Sequence, residues 1–197
     1  MNRLMDSINI ISFIVLIVSI AANSTATKGG LKKTVTKSER CPITYLQKTP
    51  LNISALILIL QILGVFQIGT INYNNELQYI RITGLIIFII FAWLQVYSFK
   101  NLKSNYSQDI SILKNHQLIT TGIHRKIRHP QYISQVLSDL GMGFALLGYL
   151  IIPLVIFIEL PLFILRAKKE DEMMNEYFGS KFEEYKKKSG FIIPFIG

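Results

Sequence analysis

Residues 51–71 read LNISALILILQILGVFQIGTI, an apolar run of twenty-one residues without a charge. At 1.5 Å of rise per residue, such a run makes a helix of about 30 Å, which matches the hydrocarbon core of a bilayer. The chain around it repeats the pattern. Leu4 to Ala22 is apolar after Asp6 and Asn9, and Ile82 to Phe99 carries Trp93 and Tyr97 near its far end, where aromatic residues meet a membrane interface. Tyr132 to Leu147 and Tyr149 to Leu165 are separated only by Gly148. One straight helix across both would be about 50 Å long, too long for the bilayer core. The sequence therefore predicts an all-α integral membrane protein of about five transmembrane helices. The last two are expected to form a tight helical hairpin turning near Gly148.

Charge gives this topology a direction. Arg3 precedes the first run and Arg81 the third. Every other Lys and Arg falls in Asn23–Pro50, in Lys100–Gln131 or in the tail from Arg166. These segments alternate onto one side of a five-span chain, and by the positive-inside rule that side is cytoplasmic. The N-terminus is then expected outside and the C-terminus inside. Ala21-Ala22 resembles the small residues of a signal-peptide cleavage site. The charge order around the first run is the reverse of a signal peptide's, so a retained span is expected. Asn23–Pro50, basic and rich in Thr and Ser, reads as a cytoplasmic loop. The net charge of +9 belongs to this orientation signal, and no nucleic-acid partner is expected. Membrane lipids are the partner it implies.

Composition also narrows the chemistry. Cys41 is the only cysteine, so neither an internal disulfide nor a thiol clip is available. His116, His124 and His129 lack the helical spacing of a zinc protease motif, and no metal site is expected.

Two polar segments flank the expected hairpin on its cytoplasmic side. The first, Gly122 to Tyr132, reads GIHRKIRHPQY. Pro130 suits the first turn of the fourth span, which puts His129 near the N-cap. Free N–H groups and the helix dipole favour an anion there, and Arg125, Lys126 and Arg128 add positive charge. The second segment is Arg166 followed by KKEDE at 168–172. Its acids offer acceptors for a cation, or else they open a new helix. Asp171 to Lys188 reads as an interfacial helix with an apolar face of Met173, Met174, Tyr177, Phe178, Phe182 and Tyr185, interrupted at Gly179. Asp139 and Glu159 lie within the fourth and fifth spans, where an acid by default marks a function or a buried partner.

Taken in order, GIHRKIRHPQY, the apolar pair of runs, Arg166 with Glu170-Asp171, Phe178-Gly179, Tyr185 and the terminal IPFIG resemble the isoprenylcysteine carboxyl methyltransferase family and the wider membrane phospholipid methyltransferases. The resemblance covers Leu118 to Gly197. It implies an S-adenosylmethionine cofactor held by residues 101–197. The three N-terminal helices with their basic loop occupy residues 1–100. By resemblance, Gly122, Arg128, His129, Pro130, Tyr132, Glu170 and Asp171 are the candidate cofactor-binding residues. Arg166 and Glu170 are the candidate catalytic residues, Arg166 for a substrate carboxylate or for orientation. The implied substrate is a lipophilic or prenylated molecule entering from the bilayer. The chain departs from the family pattern at His124, where an aromatic is usual, and at Asp171, where the second acid is usually Glu.

A carboxylate acceptor is already ionised at neutral pH. Its methylation needs alignment and water exclusion rather than a catalytic triad. Three alternatives share parts of the pattern. A phospholipid, amine or thiol methyltransferase would use the same scaffold. Membrane sterol reductases, which use NADPH, have a similar RHPxY. A non-enzymatic membrane scaffold would not require the acids after the hairpin.

Overall fold

The computed structural model describes residues 6–194 and 196, so Phe195 and Gly197 of the terminal motif lie outside the described residues. The chain is mostly helical. Its helices are α1 (Ser7–Lys37), α2 (Thr49–Val65), α3 (Gln78–Leu102), α4 (Pro130–Leu146), α5 (Ile151–Leu154), α6 (Leu160–Phe178) and α7 (Ser180–Lys186). A π-helical stretch, Val155–Glu159, joins α5 to α6. Two short strands, β1 (Ser38–Arg40) and β2 (Ile112–Leu113), pair antiparallel.

Among the described residues, three helical segments are long and apolar enough to cross a membrane: Ser7–Thr27, Tyr45–Val65 and Asn75–Leu102. Their outward faces carry exposed Ile10, Ile14, Ile17, Ile59, Ile86 and Ile90. Such a belt would be an aggregation liability in water and is the ordinary surface in hydrocarbon. The inward faces build a core of Leu16, Val65, Leu85, Phe88, Met142 and Ala145.

Helices α3 and α4 touch backbone to backbone. A Cβ on Gly84 would lie 2.5 Å from Ala145 N, and one on Gly141 would lie 2.5 Å from Phe88 N. Small residues at such a crossing let two helices in lipid gain packing contacts where no hydrophobic driving force is available. At the end of this pair, Arg81 is buried. It donates from Nε to Ala145 O at 2.9 Å and from Nη2 to Asn9 Oδ1 at 2.7 Å, and it pairs with Asp6 through both terminal nitrogens. The sequence offers Arg81 only as a stray charge before a span. In the fold it ties the starts of α1 and α3 to the end of α4.

Two local readings of the sequence are corrected, and the turn expected near Gly148 is located. The segment after Ala22 is not a loop from its start, because α1 continues to Lys37. The α4–α5 turn centres one residue before Gly148. Leu147 takes the left-handed conformation at φ 55°, and Gly148 N closes back on Gly143 O at 2.8 Å, the closure of a Schellman end. Gly148 is needed for space, since a Cβ there would meet Ile151 Cδ1 at 2.7 Å. Finally, no helix begins at Asp171. Glu170, Asp171 and Glu172 lie inside α6, which runs unbroken to Phe178. The break comes at Gly179, whose φ is +55°, a conformation glycine adopts without steric cost.

Replacing Gly141 by Leu should destabilise the protein by about 1–3 kcal/mol, the usual cost of overpacking, because the new side chain would meet backbone rather than a movable side chain. Denaturation of the detergent-solubilised variant, followed by circular dichroism, measures this. An unchanged midpoint would mean that the helices separate at no cost.

Candidate functional site

The site is assembled where the start of α4 meets the middle of α6. Ahead of α4 the chain is held extended against the C-terminal segment. Gly190 N donates to Lys126 O at 2.9 Å, and Arg128 N donates to Gly190 O at 2.9 Å. His129 then occupies the N-cap, with Pro130 in the first turn, as the missing N–H and fixed φ of proline favour. This fixes the direction in which Arg128, His129 and Tyr132 leave the backbone.

Across from them, Arg166, Glu170 and Asp171 project from successive turns of α6. His129 Nε2 lies 2.8 Å from Asp171 Oδ1, and His129 Nδ1 lies 3.5 Å from Glu170 Oε2. Arg128 Nε donates to the other Asp171 oxygen at 3.0 Å, and its Nη1 donates to Ser189 O at 2.6 Å. Tyr132 donates its hydroxyl hydrogen to Glu170 Oε1 and accepts from Arg166 Nε at 2.8 Å. The Tyr132 ring stacks between His129, at 5.7 Å, and Phe163, at 5.0 Å between centroids.

These contacts set the charges. Burial works against the His129 imidazolium, but hydrogen bonds and charge from Asp171 and Glu170 outweigh it and raise its pKa to about 9. Burial likewise opposes the carboxylates of Glu170 and Asp171. Their bonds to His129, with Arg166 beside Glu170 and Arg128 beside Asp171, win and hold both below the usual carboxylate range. The cluster is thus a fixed arrangement of three cations and two anions, mutually paired as buried charges must be.

Arg128, His129, Tyr132, Arg166, Glu170 and Asp171 all line one cavity of about 190 Å³. Gly122 and Pro130 do not line it. Gly122 has φ +62° and no room for a Cβ, which would meet Asn101 Nδ2 at 2.8 Å. It shapes the turn that carries His124, as Pro130 shapes the helix start. His124 is buried and lines the same cavity, with Nδ1 3.4 Å from Arg128 O and Nε2 3.5 Å from Ser98 O. Burial, only partly offset by those carbonyls, lowers its pKa.

The rest of the guanidinium of Arg166 is taken up by the chain itself. Nη1 donates to Leu46 O and Gln47 O, each at 2.9 Å, and Nη2 donates to Gln108 O. These carbonyls come from the segment before α2 and from the loop between α3 and β2. No sequence signal marks them, because a backbone acceptor leaves no trace in residue type. Tyr106 and Gln108 of that loop, and His116 just past β2, also line the cavity. The sequence reading missed Gln131 and Gln135 on the cavity wall, although their four-residue spacing on α4 was a usable signal.

Set in this fold, the site defines a class: a helical membrane protein with a charged, paired cavity at one end of its bundle. The profile of the isoprenylcysteine carboxyl methyltransferase (ICMT) family matches residues 84–176. The match starts upstream of the expected Leu118 and takes in most of α3. Among curated relatives, the protein-S-isoprenylcysteine O-methyltransferase of Saccharomyces cerevisiae is 26% identical over 127 residues, covering 64% of this chain and 53% of the yeast protein. The Schizosaccharomyces pombe enzyme of the same name is 31% identical over 83 residues, covering 42% of this chain and 35% of that one. The chain spans about half the length of the curated relatives it matches. A solved structure of a eukaryotic intramembrane Ras methyltransferase, an isoprenylcysteine carboxyl methyltransferase, superposes with a TM-score of 0.66 at 20% identity. That superposition covers 98% of this chain and 70% of the other and shows a shared fold.

The charge pairing predicts a pH profile for stability. His129 titrates near 6.5 when unfolded and near 9 when folded, so its contribution is complete below 6.5 and disappears as pH rises through about 9. The two carboxylates contribute above their ordinary range and lose that contribution as pH falls below it. The thermal midpoint should therefore be highest between about pH 5 and 6.5 and decline toward 9. His129→Gln, which keeps a donor toward Asp171 without titrating, should flatten the alkaline arm. A wild-type alkaline slope preserved in the variant would place the titration elsewhere.

Proposed function

We propose that this chain is an integral membrane methyltransferase that uses S-adenosylmethionine to methylate the carboxylate of an isoprenylcysteine-like or other lipophilic acceptor. One observation carries the reading. Arg128 and His129 at the start of α4 pair with Glu170 and Asp171 on α6 in the wall of one cavity, in a chain whose residues 84–176 match a methyltransferase family.

The residues fit the cofactor's amino-acid end, which carries one carboxylate and one ammonium. Arg128 and protonated His129 would meet the carboxylate, and Glu170 or Asp171 the ammonium. When bound, S-adenosylmethionine supplies a methyl group on a sulfonium, a strong electrophile. An ionised carboxylate needs no proton removed before it attacks. The chain's task is to orient the two partners and to exclude water. Arg166, fixed by three backbone carbonyls and Tyr132, orients Glu170 and the cavity wall. We assign this cofactor-binding core to residues 101–197.

The membrane placement follows the same reading. Beyond the three apolar segments, α4 and the α5–α6 rod supply two further spans, 132–147 and 149–165, as a hairpin whose tip exposes Tyr149 and Leu150. With five spans and the basic segments on one side, the N-terminus is outside and the cavity opens toward the cytoplasm. A lipophilic or prenylated acceptor then reaches the cavity laterally from the bilayer.

Calorimetric titration of the purified protein with S-adenosylhomocysteine should show saturable binding. His129→Ala and Glu170→Gln should each weaken it about 10- to 100-fold, the range for a lost charge-assisted hydrogen bond, while circular dichroism stays unchanged. Binding of NADPH but not S-adenosylhomocysteine would overturn the reading in favour of a reductase.

A further inference from the structure

The cavity has an inner wall that cofactor binding does not use. On α4, Gln131, Gln135 and Asp139 recur every four residues and share one face. Gln131 and Gln135 line the cavity, together with Gln95 of α3 and Ser54 of α2. Behind them runs a connected set of polar groups. Asn23 Nδ2 donates to Gln95 Oε1 at 3.0 Å, Gln95 Nε2 donates to Gln135 Oε1, and Gln135 Nε2 donates to Asp139 Oδ2. Gln61 Nε2 donates to the other Asp139 oxygen at 2.8 Å, and Ser54 Oγ donates to Glu159 Oε1 at 2.7 Å. The carboxyl groups of Asp139 and Glu159 face one another.

This wall lies among apolar helices, where polar side chains are costly. Leucine at Gln95, Gln131 and Gln135 would pack as well for a hydrocarbon ligand and cost nothing to desolvate. The wall also has capacity to spare. Gln131 is nine-tenths buried and lines the cavity, and its Oε1 has no hydrogen-bond partner among the described residues. That oxygen is itself shielded as the side chain lies, so an N–H or O–H entering the cavity would pair with it by drawing the carboxamide toward the ligand. Each carboxamide nitrogen of Gln95 and Gln135 has two hydrogens, of which the network uses one.

We infer that the lipophilic acceptor carries a neutral hydrogen-bonding group, a hydroxyl or an amide, on its membrane-embedded tail, and that Gln131, Gln135, Gln95 and Ser54 form the subsite that binds it. The inference rests on the cavity admitting a lipophilic acceptor, as proposed above. Asp139 and Glu159 are positioning residues here, since they hold Gln135 and Ser54 in place rather than touch the ligand. A plain isoprenoid tail leaves the wall's donors and acceptors unmatched, whereas a hydroxylated tail pairs with them.

The test uses the full chain in lipid nanodiscs, saturated with S-adenosylhomocysteine. It is titrated calorimetrically with S-farnesyl-N-acetylcysteine and with analogues hydroxylated on each isoprene unit in turn. At least one analogue should bind about tenfold more tightly than the parent, equivalent to one net hydrogen bond. Gln131→Leu and Gln135→Leu should remove that advantage and leave the parent's affinity unchanged. Gln131→Leu breaks no internal hydrogen bond, so its folding is secure even if Gln135→Leu disturbs Asp139. Affinities within twofold across the series would mean that water satisfies the wall and would overturn the inference. So would equal losses for parent and analogue in the variants, or no binding of any member. Methyl transfer from S-adenosylmethionine is assayed on the same samples as a separate readout. Preferential binding without transfer would defeat the proposed activity and leave the subsite standing.

Discussion

The pairing of α4 with the α5–α6 rod is the constraint on which the site depends. One face of α4 carries His129, Tyr132, Gln135 and Asp139, and one face of the rod carries Glu159, Phe163, Arg166 and Glu170. Both sets step by three or four residues, so each forms a stripe. The two stripes run antiparallel and meet layer by layer: His129 with Glu170, Tyr132 with Phe163 and Arg166, Asp139 with Glu159. A shift by one turn in either helix would bring carboxylates against apolar rings and leave charges unpaired in a site with little water. The register is therefore held by the cost of its alternatives.

That seam needs a fixed support, which the glycine crossing of α3 and α4 provides. With backbone against backbone at Gly84 and Gly141, α4 has no side-chain cushion through which to slide. At the far end, Arg81 holds the last turn of α4 through Ala145 O. At the near end, Arg166 reaches from the rod to the carbonyls of Leu46, Gln47 and Gln108. Two buried arginines thus pin opposite ends of the same helical group. Five donors in a rigid fork suit that task better than the single ammonium of lysine.

How much of this the sequence disclosed follows from what kind of feature each part is. Apolar runs survive in composition, and α1 to α4 fall where those runs lie. Six charged and aromatic candidates were legible through their resemblance to a family pattern, and the fold brings all six to one cavity. Helix continuity was not legible. The acids at 170–172 look like a helix start because hydrophobicity ends there, but hydrogen bonding along α6 is indifferent to that change and stops only where Gly179 turns left-handed. The turn near Gly148 was legible, but not that its left-handed residue is Leu147. Glycine advertises conformational freedom, yet Gly148 is required for lack of space. The carbonyl partners of Arg166 were invisible because every residue has a carbonyl.

The layered seam also separates two kinds of polarity that composition alone would merge. In the outer layer, charges neutralise one another, and a zwitterionic ligand can enter by exchanging partners with groups that are already ionised. In the inner layer, carboxamides and a hydroxyl stand between two acids and the cavity, so the surface offered to a ligand is neutral and both donates and accepts. Phe163 and Tyr132 stand between the layers and keep the inner acids away from the cations. A molecule spanning both layers would therefore place charge at the outer end and a neutral polar group farther along α4, between Gln131 and Gln135, about 3 to 9 Å past His129. This ordering places the charged end where protonated His129 and Arg166 balance it, and it spares the hydrocarbon layer any net charge that the protein has not already paired.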